Sequence, residues 1–115
     1  MTTLLLLPGL ICDRTVWDPV LAHWTPPVPH AFGDFTTQAS LTAMAADTLA
    51  AHPGPLWVAG HSMGARVAME MARLAPGRVA RLALLDTGIH PRREAEMPKR
   101  RAMIALAHQA GMAAL

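Results

Sequence analysis

The fold is decided by residues 56–75, which read LWVAGHSMGARVAMEMARLA. The first four residues, Leu56 to Ala59, form a short apolar run that favours a strand buried on both faces. From Met63 to Ala75 charged residues recur every three or four positions, as on the wet face of a helix, and Pro76-Gly77 ends the segment. The stretch therefore predicts a strand that turns sharply into a helix.

The rest of the chain repeats this alternation of short apolar runs and helical patterns. Working outward, we predict strands at Leu4–Leu7, Pro29–Phe35 and Val79–Leu85, and helices at Thr15–Trp24 and Ser40–His52. Strands that are connected by helical crossovers run parallel, and the helices cover both faces of the sheet. The sequence therefore predicts an α/β fold with a doubly wound, mostly parallel sheet.

The C-terminal tail carries no further strand pattern. From Pro91 to Leu115 the residues are helix-prone. A sheet that ends in this way leaves the strand at Val79–Leu85 with one unpaired edge. We also expect exposed apolar faces on the helices at Met63–Ala75 and Arg101–Ala114, which would favour aggregation.

Composition limits the classes of protein to which the chain can belong. Its 115 residues are 52% hydrophobic and 16% charged, which excludes a disordered tail and a highly charged coiled coil. The formal net charge is only +2, and the basic residues between Arg92 and Arg101 are interrupted by Glu94 and Glu96. This pattern is typical of a solvated surface, so we expect no nucleic-acid partner.

The cysteine content and the N-terminus bear on the compartment and on cofactors. Cys12 is the only cysteine, which excludes an intrachain disulfide and favours a reducing, cytoplasmic location. The apolar run at Leu4–Leu7 is broken at once by Pro8-Gly9, as in neither a signal peptide nor a membrane span. No spacing of His, Cys or carboxylate residues resembles a metal site, and no glycine-rich phosphate loop is present. We therefore expect no metal, no cofactor and no membrane partner.

The turn between the strand and the helix at residues 56–75 fits the pattern G-x-S-x-G, with Ser62 between Gly60 and Gly64. A serine at so sharp a turn has a strained backbone, and the residues two before and two after it must be small. Its hydroxyl then stands clear of the sheet, near the positive end of the helix. Ser62 is therefore a candidate nucleophile, and the alternative is a Gly-Ser turn that only caps the helix.

Acyl transfer also requires backbone N–H groups that bind the tetrahedral oxyanion. Met63, directly after the candidate nucleophile, would supply one of them. Leu10 would supply the second, because Pro8-Gly9 ends the first strand and Gly9 permits a tight loop. The alternative for this segment is an ordinary strand-ending turn.

Three segments of the chain resemble the α/β-hydrolase superfamily, in particular its small single-domain bacterial esterase-like members. Residues 6–13, LLPGLICD, together with Val16-Trp17, look like the loop that forms the oxyanion hole. Residues 59–68 look like the nucleophile elbow of that group, and residues 81–87 look like the strand that follows it. The resemblance extends from Leu4 to Arg93.

The resemblance implies a serine hydrolase that acts on a carboxylic ester or similar small acyl compound, through an acyl-enzyme on Ser62 and without a cofactor. The chain departs from the family in two ways. Pro8 stands where many members carry histidine, and the acid and histidine of most members lie beyond a helical cap, on strands that this sequence does not reach. Residues 1–115 are therefore expected to be the N-terminal portion of a single α/β-hydrolase domain, truncated before the cap and the last strands.

Partners for the candidate nucleophile are sought among the remaining polar residues. Asp86 follows a strand beside the elbow strand and is a candidate acid, or else a helix cap or turn residue. His90 and His108 are candidate bases, although His90 comes early for the family's base and His108 lies on the terminal helical segment. We expect His61 to pack beneath the turn, and Cys12 either to line the pocket or to act as a small buried hydrophobe.

Without a base, the chain has two alternative functions. It is either a catalytically incomplete fragment or scaffold that keeps the nucleophile, or one half of a two-chain hydrolase. The acyl and alcohol pockets of this superfamily are shaped largely by the cap and the later loops, so the sequence predicts neither the particular substrate nor the oligomeric state.

Overall fold

The computed structural model describes residues 1–115, in which four strands alternate with four helices. The elements are β1 (Thr3–Leu7), α1 (Asp18–His23), β2 (His30–Phe32), α2 (Leu41–Ala51), β3 (Leu56–His61), α3 (Met63–Leu74), β4 (Val79–Leu85) and α4 (Met97–Ala110). Single 3-10 turns precede α1 and α4, at Arg14–Trp17 and Glu94–Glu96, and another follows α4 at Met112–Ala114.

The four strands form one parallel sheet in the order β2-β1-β3-β4. In this register Leu7 at the end of β1 lies beside Gly60 near the end of β3, and His61 lies beside Leu85 at the end of β4. The predicted α/β class with a parallel sheet is confirmed. The register also brings the carboxyl ends of β1, β3 and β4 to the same edge of the sheet, where α/β proteins place their ligands.

Both faces of the sheet are covered near β1 and β3. On one face α2 and α3 pack against alternate strand residues, and this core comprises Leu5, Leu7, Ala45, Leu56, Val58, Val67, Ala68 and Met71. On the other face Trp17, in the 3-10 turn before α1, packs against Leu4 and Leu6. Because β1 is buried on both faces it needs an uninterrupted leucine run, and each fully buried leucine stabilises the fold by roughly 1.5–3 kcal/mol.

Helix boundaries follow local chemistry. The Ser40 hydroxyl accepts a hydrogen bond from the Ala43 N–H at 3.0 Å and caps α2, as the sequence predicted. The helix predicted at Thr15–Trp24 is instead a 3-10 turn followed by six residues of α-helix, with Pro19 at the start of the α-helical part. Proline is favoured at the first turn of a helix but cannot continue one, so the segment breaks before it.

The edge of the sheet at β4 is open, as expected. No strand pairs with the outer side of β4, and its Leu82 and Leu84 side chains are 43% and 41% exposed. The helix α4 packs against its two neighbouring 3-10 turns and has no buried residue, so its apolar side chains are also exposed.

The expectation of a bare apolar face on α3 is wrong. Val67, Ala68 and Met71 are fully buried between the sheet and α2, because the apolar side of the helix faces inward. None of the helices is long and apolar enough to cross a membrane.

Candidate active site

Ser62 occupies the single residue between β3 and α3, with φ 54° and ψ −113°. This left-handed φ costs a non-glycine residue of order 1–3 kcal/mol, so surrounding contacts must enforce it. One of them is a hydrogen bond of 2.9 Å from the Ser62 N–H to the carbonyl of Leu85, the last residue of β4. The turn is thereby fastened to the neighbouring strand as well as to its own.

The two glycines that flank Ser62 are required by close backbone contacts. A Cβ atom on Gly60 would lie 2.3 Å from the carbonyl oxygen of Gly64. A Cβ atom on Gly64 would lie 2.5 Å from the carbonyl oxygens of both Leu7 and Pro8. These distances are well below any real Cβ contact, so the elbow closes only with glycine at both positions. The close approach of the two ends of the turn, expected from the G-x-S-x-G pattern, is therefore present in the structure.

The loop after β1 lies directly against the elbow. A Cβ atom on Gly9 would lie 3.3 Å from the Cβ atom of Ser62 and 3.0 Å from Nδ1 of His61. The Gly9 carbonyl accepts a hydrogen bond of 3.2 Å from the Cys12 N–H, which closes a turn around Leu10 and Ile11. The Leu10 N–H makes no backbone hydrogen bond in the chain. A free backbone donor therefore lies one residue from the point where this loop touches Ser62.

The start of α3 offers further donors at the same edge. Met63 is the first residue of the helix, and the opening N–H groups of a helix have no partner within it. The helix dipole adds a partial positive charge at this end. Chemically, the edge combines a half-buried turn serine with backbone N–H donors from two elements, which is what stabilisation of an oxyanion requires. The catalytic roles of Ser62, Leu10 and Met63 stay predictions.

His61 and Asp86 form a pair beside the elbow. Nε2 of His61 lies 3.8 Å from Oδ2 of Asp86, while its Nδ1 is buried against Gly9 and has no hydrogen-bond partner. The Asp86 side chain is 89% exposed, and its backbone has a φ of 52°, which the short polar side chain of aspartate tolerates. The structure thus places Asp86 next to His61 rather than next to a histidine that also contacts the serine.

The structure does not bring a base to Ser62. None of the side-chain hydrogen bonds of the chain joins Ser62 to a histidine, and Nδ1 of His90 lies 2.8 Å from the carbonyl of its neighbour Pro91. His108 is on α4, which packs away from the sheet. Cys12 is exposed, so the alternative in which it is a buried hydrophobe is wrong; it lies on the turn beside Leu10.

Two features of this edge, one contact and one backbone conformation, have no signal in the sequence. Arg66, one turn into α3, donates a hydrogen bond of 3.1 Å to the His90 carbonyl and so holds the segment after β4. Ile11 has a φ of 59°, although no glycine or asparagine signals a left-handed turn at that position. The Arg66 contact joins residues that are distant in sequence, and the Ile11 conformation has no glycine or asparagine signal, so local patterns reveal neither.

The shifted pKa values belong to surface groups. The Thr15 hydroxyl and N–H lower the pKa of Asp13, at the end of the loop after β1. Hydrogen bonds from Arg73 and Thr42 lower the pKa of Glu70 on α3 to about 2. These interactions fasten a turn and a helix pair. No group of three His, Cys, Asp or Glu side chains is placed to hold a metal ion.

Comparisons with known proteins agree with this architecture. The family model of the thioesterase domain matches residues 30–108. Lipase LipV of Mycobacterium tuberculosis is 34% identical over 97 residues, with 74% of this chain and 37% of the lipase covered. A solved structure of a thermophilic esterase from Thermogutta terrifontis, with malate bound, matches with a TM-score of 0.80 at 26% identity, covering 96% of this chain and 46% of the esterase.

A further structure shares the fold. YbtT, the type II thioesterase from the yersiniabactin NRPS/PKS biosynthetic pathway, matches with a TM-score of 0.63 at 23% identity, covering 97% of this chain and 58% of that protein. The chain thus spans less than half the length of the lipase and of the Thermogutta esterase. The thioesterase-domain model covers more than half of the chain and the sheet topology agrees with it, so the chain belongs to the thioesterase-domain family of hydrolases, within the α/β-hydrolase superfamily.

Proposed function

We propose that Ser62 is the nucleophile of a hydrolase that cleaves a carboxylic ester or thioester through an acyl-enzyme. The observation that carries the proposal is the left-handed backbone of Ser62 at the junction of β3 and α3, closed by glycines that admit no Cβ atom. A serine that only caps a helix does not need a strained backbone. In addition, the Ser62 side chain makes no capping hydrogen bond to α3.

The proposed reaction has two steps. The Ser62 oxygen attacks the acyl carbonyl carbon, and its proton passes to a general base and then to the departing alcohol or thiol. Water then attacks the acyl-enzyme, and the proton it loses returns by way of the base to the serine oxygen. In both steps the carbonyl oxygen becomes an oxyanion, which the N–H groups of Leu10 and Met63 bind. Removal of one such donor costs roughly 3 kcal/mol of transition-state stabilisation.

We infer that residues 1–115 are the N-terminal portion of a single hydrolase domain and that the acid and the histidine belong to its later strands. The open outer edge of β4 and the unsupported helix α4 favour this inference, since both would be covered by further elements. We call the chain joined to those elements, on the same polypeptide or on a second one, the complete hydrolase. Asp86 is a second candidate for the acid, because it stands at the same edge as Ser62.

A non-catalytic scaffold is the competing proposal for the 115 residues alone. It is favoured by the absence of any hydrogen bond between Ser62 and a histidine in this chain. A neutral hydroxyl without a base is a weak nucleophile, so the chain by itself should not turn over an ester. Hydrolysis of p-nitrophenyl acetate by purified residues 1–115 at the buffer rate is the expected result. Turnover that is lost in Ser62→Ala would show that a base lies within the chain.

Covalent labelling tests the proposed nucleophile in the complete hydrolase. A fluorophosphonate should label the wild type, and Ser62→Ala should remove that label. The chain contains only one other serine, Ser40, which caps α2, so Ser40→Ala is a matched control that should keep the label. Labelling that survives undiminished in Ser62→Ala would refute the assignment.

A further inference from the structure

Ile11 has a left-handed backbone conformation that its residue type disfavours. Three non-glycine residues have positive φ: Ile11 at 59°, Ser62 at 54° and Asp86 at 52°. Aspartate tolerates this region, and the elbow accounts for the serine. A β-branched residue is a true outlier there, because its Cβ substituents crowd the backbone. At the third position of a turn with positive φ, glycine or asparagine is the usual residue.

The side chain of Ile11 gains little from the chain itself. It is 51% exposed and belongs to neither apolar core, and the adjacent Leu10 side chain is 52% exposed. Burial within these 115 residues therefore offsets only part of the backbone strain. Strained residues persist at sites where the side chain or the turn is used in binding or catalysis. A binding role for Ile11 would therefore involve a molecule outside this chain.

The position of the turn indicates what Ile11 contacts. Gly9, which opens the turn, is packed against Ser62, and the Cys12 N–H closes the turn onto the Gly9 carbonyl at 3.2 Å. After β1 the chain stays buried up to Gly9, and Leu10 and Ile11 are the first exposed residues after it. Both have aliphatic side chains that are about half exposed to solvent. The exposed aliphatic surface of this turn therefore begins within two residues of the point where Gly9 contacts Ser62.

We propose that Ile11 is a specificity-determining residue that forms one wall of the acyl-binding surface, and that the substrate carries an apolar acyl chain of medium length. The proposal rests on the proposed function of Ser62. The strained turn holds the aliphatic side chain beside the serine, where an acyl chain of several methylenes covers it and a two-carbon acetyl group does not. Isoleucine is then retained at a backbone position where glycine would be less strained.

The first experiment measures the strain and does not depend on activity. Ile11→Ala and Ile11→Gly both remove the aliphatic side chain, but only glycine relieves the left-handed backbone. Thermal unfolding of the complete hydrolase, followed by circular dichroism, should give a higher Tm for Ile11→Gly than for Ile11→Ala, by about 2–4 °C. A Tm of Ile11→Gly at or below that of Ile11→Ala would overturn the strain argument.

The second experiment measures acyl-chain preference in the complete hydrolase with p-nitrophenyl acetate and p-nitrophenyl octanoate. Ile11→Gly should lower kcat/KM for the octanoate roughly tenfold, mainly through KM, and change that for the acetate less than twofold. Leu74→Ala, which removes a side chain 40% exposed at the far end of α3, is the control and should leave both values unchanged.

The outcomes separate this proposal from its alternatives. An equal fall for both esters would place Ile11 in support of the oxyanion loop, and no change for either would show that it contacts no substrate; each overturns the proposal. A strongly lowered Tm in Ile11→Gly with unchanged chain-length preference would mean that later elements of the domain cover Ile11, which also overturns it. A wild type inactive on both esters and on the matching acetyl and octanoyl thioesters would refute the proposed function, while the comparison of melting temperatures would still report the strain.

Discussion

Replacing Gly64 with alanine tests the steric basis of the elbow. The new Cβ atom would lie 2.5 Å from the carbonyl oxygens of both Leu7 and Pro8, whereas ordinary van der Waals contact begins near 3.4 Å. The end of β1 or the first turn of α3 must therefore move by about 0.9 Å. Overpacking of this kind costs roughly 1–3 kcal/mol, and two rigid backbone atoms place the cost at the upper end.

A gain in helix propensity partly offsets that cost. Alanine is favoured over glycine in a helix interior by about 1 kcal/mol, and less than that at this first turn. We therefore expect a net loss of about 2 kcal/mol in the free energy of unfolding. In the 115-residue chain this corresponds to a Tm lower by roughly 8 °C or more.

The matched control is Gly77→Ala. A Cβ atom on Gly77 would have no heavy atom within 4 Å, and its backbone is not left-handed, so alanine there should be neutral or slightly stabilising. Urea and thermal unfolding by circular dichroism measure both variants, and the soluble yield of each complete hydrolase gives a second readout if Gly64→Ala does not fold. Equal stability of Gly64→Ala and Gly77→Ala would refute the close-contact argument.

Three further predictions concern the supports of the fold. The guanidinium of Arg78 donates hydrogen bonds to the carbonyls of Leu49, His52 and Gly54, which would otherwise be unsatisfied after α2. Arg78→Ala should therefore lower the free energy of unfolding by about 2 kcal/mol in urea titrations. An unchanged urea midpoint would contradict this prediction. Hydrogen bonds lower the pKa of Glu70 to about 2, so the contribution of its carboxylate to stability is present above pH 4.5 and is lost as the pH falls toward 2. The difference in unfolding free energy between wild type and Glu70→Gln should shrink over that range. A constant difference would show that the carboxylate is not involved. Leu82→Lys places a charge on the open edge of β4 and should reduce light scattering by the 115-residue chain, whereas undiminished scattering would exclude edge pairing as the route of aggregation.

The alternation of strands and helices could be predicted from the sequence because each buried strand is a continuous apolar run. Leu4–Leu7 and Leu56–Ala59 lie within β1 and β3, and proline or glycine follows most elements. The prediction was less accurate where a proline stands inside a helical pattern, as at Pro19, and at β2, which is only three residues long. The bare face expected on α3 was wrong because its burial depends on α2.

The candidate site could be predicted only in part. The glycine spacing around Ser62 is local, and its steric reason is visible in the structure. The hydrogen bond from Ser62 to Leu85 and the contact between His61 and Asp86 arise because β4 lies beside β3, and strand order is not encoded in any short segment. The conformation of Ile11 has no sequence signal, since a β-branched residue stands where glycine would announce the turn.

The central claim is that Ser62 carries the acyl group, and the most direct measurement is the mass of the trapped acyl-enzyme. The complete hydrolase is mixed with p-nitrophenyl octanoate, quenched in acid within one turnover and digested with trypsin and a protease that cleaves before aspartate. Cleavage at Asp47 and Arg66 separates Ser62 from Ser40. We predict an added octanoyl group on the peptide of residues 47–66, located on Ser62 by fragmentation and missing in Ser62→Ala. Ester turnover with the octanoyl group on another residue, or with no octanoyl adduct at any quench time, would contradict the claim.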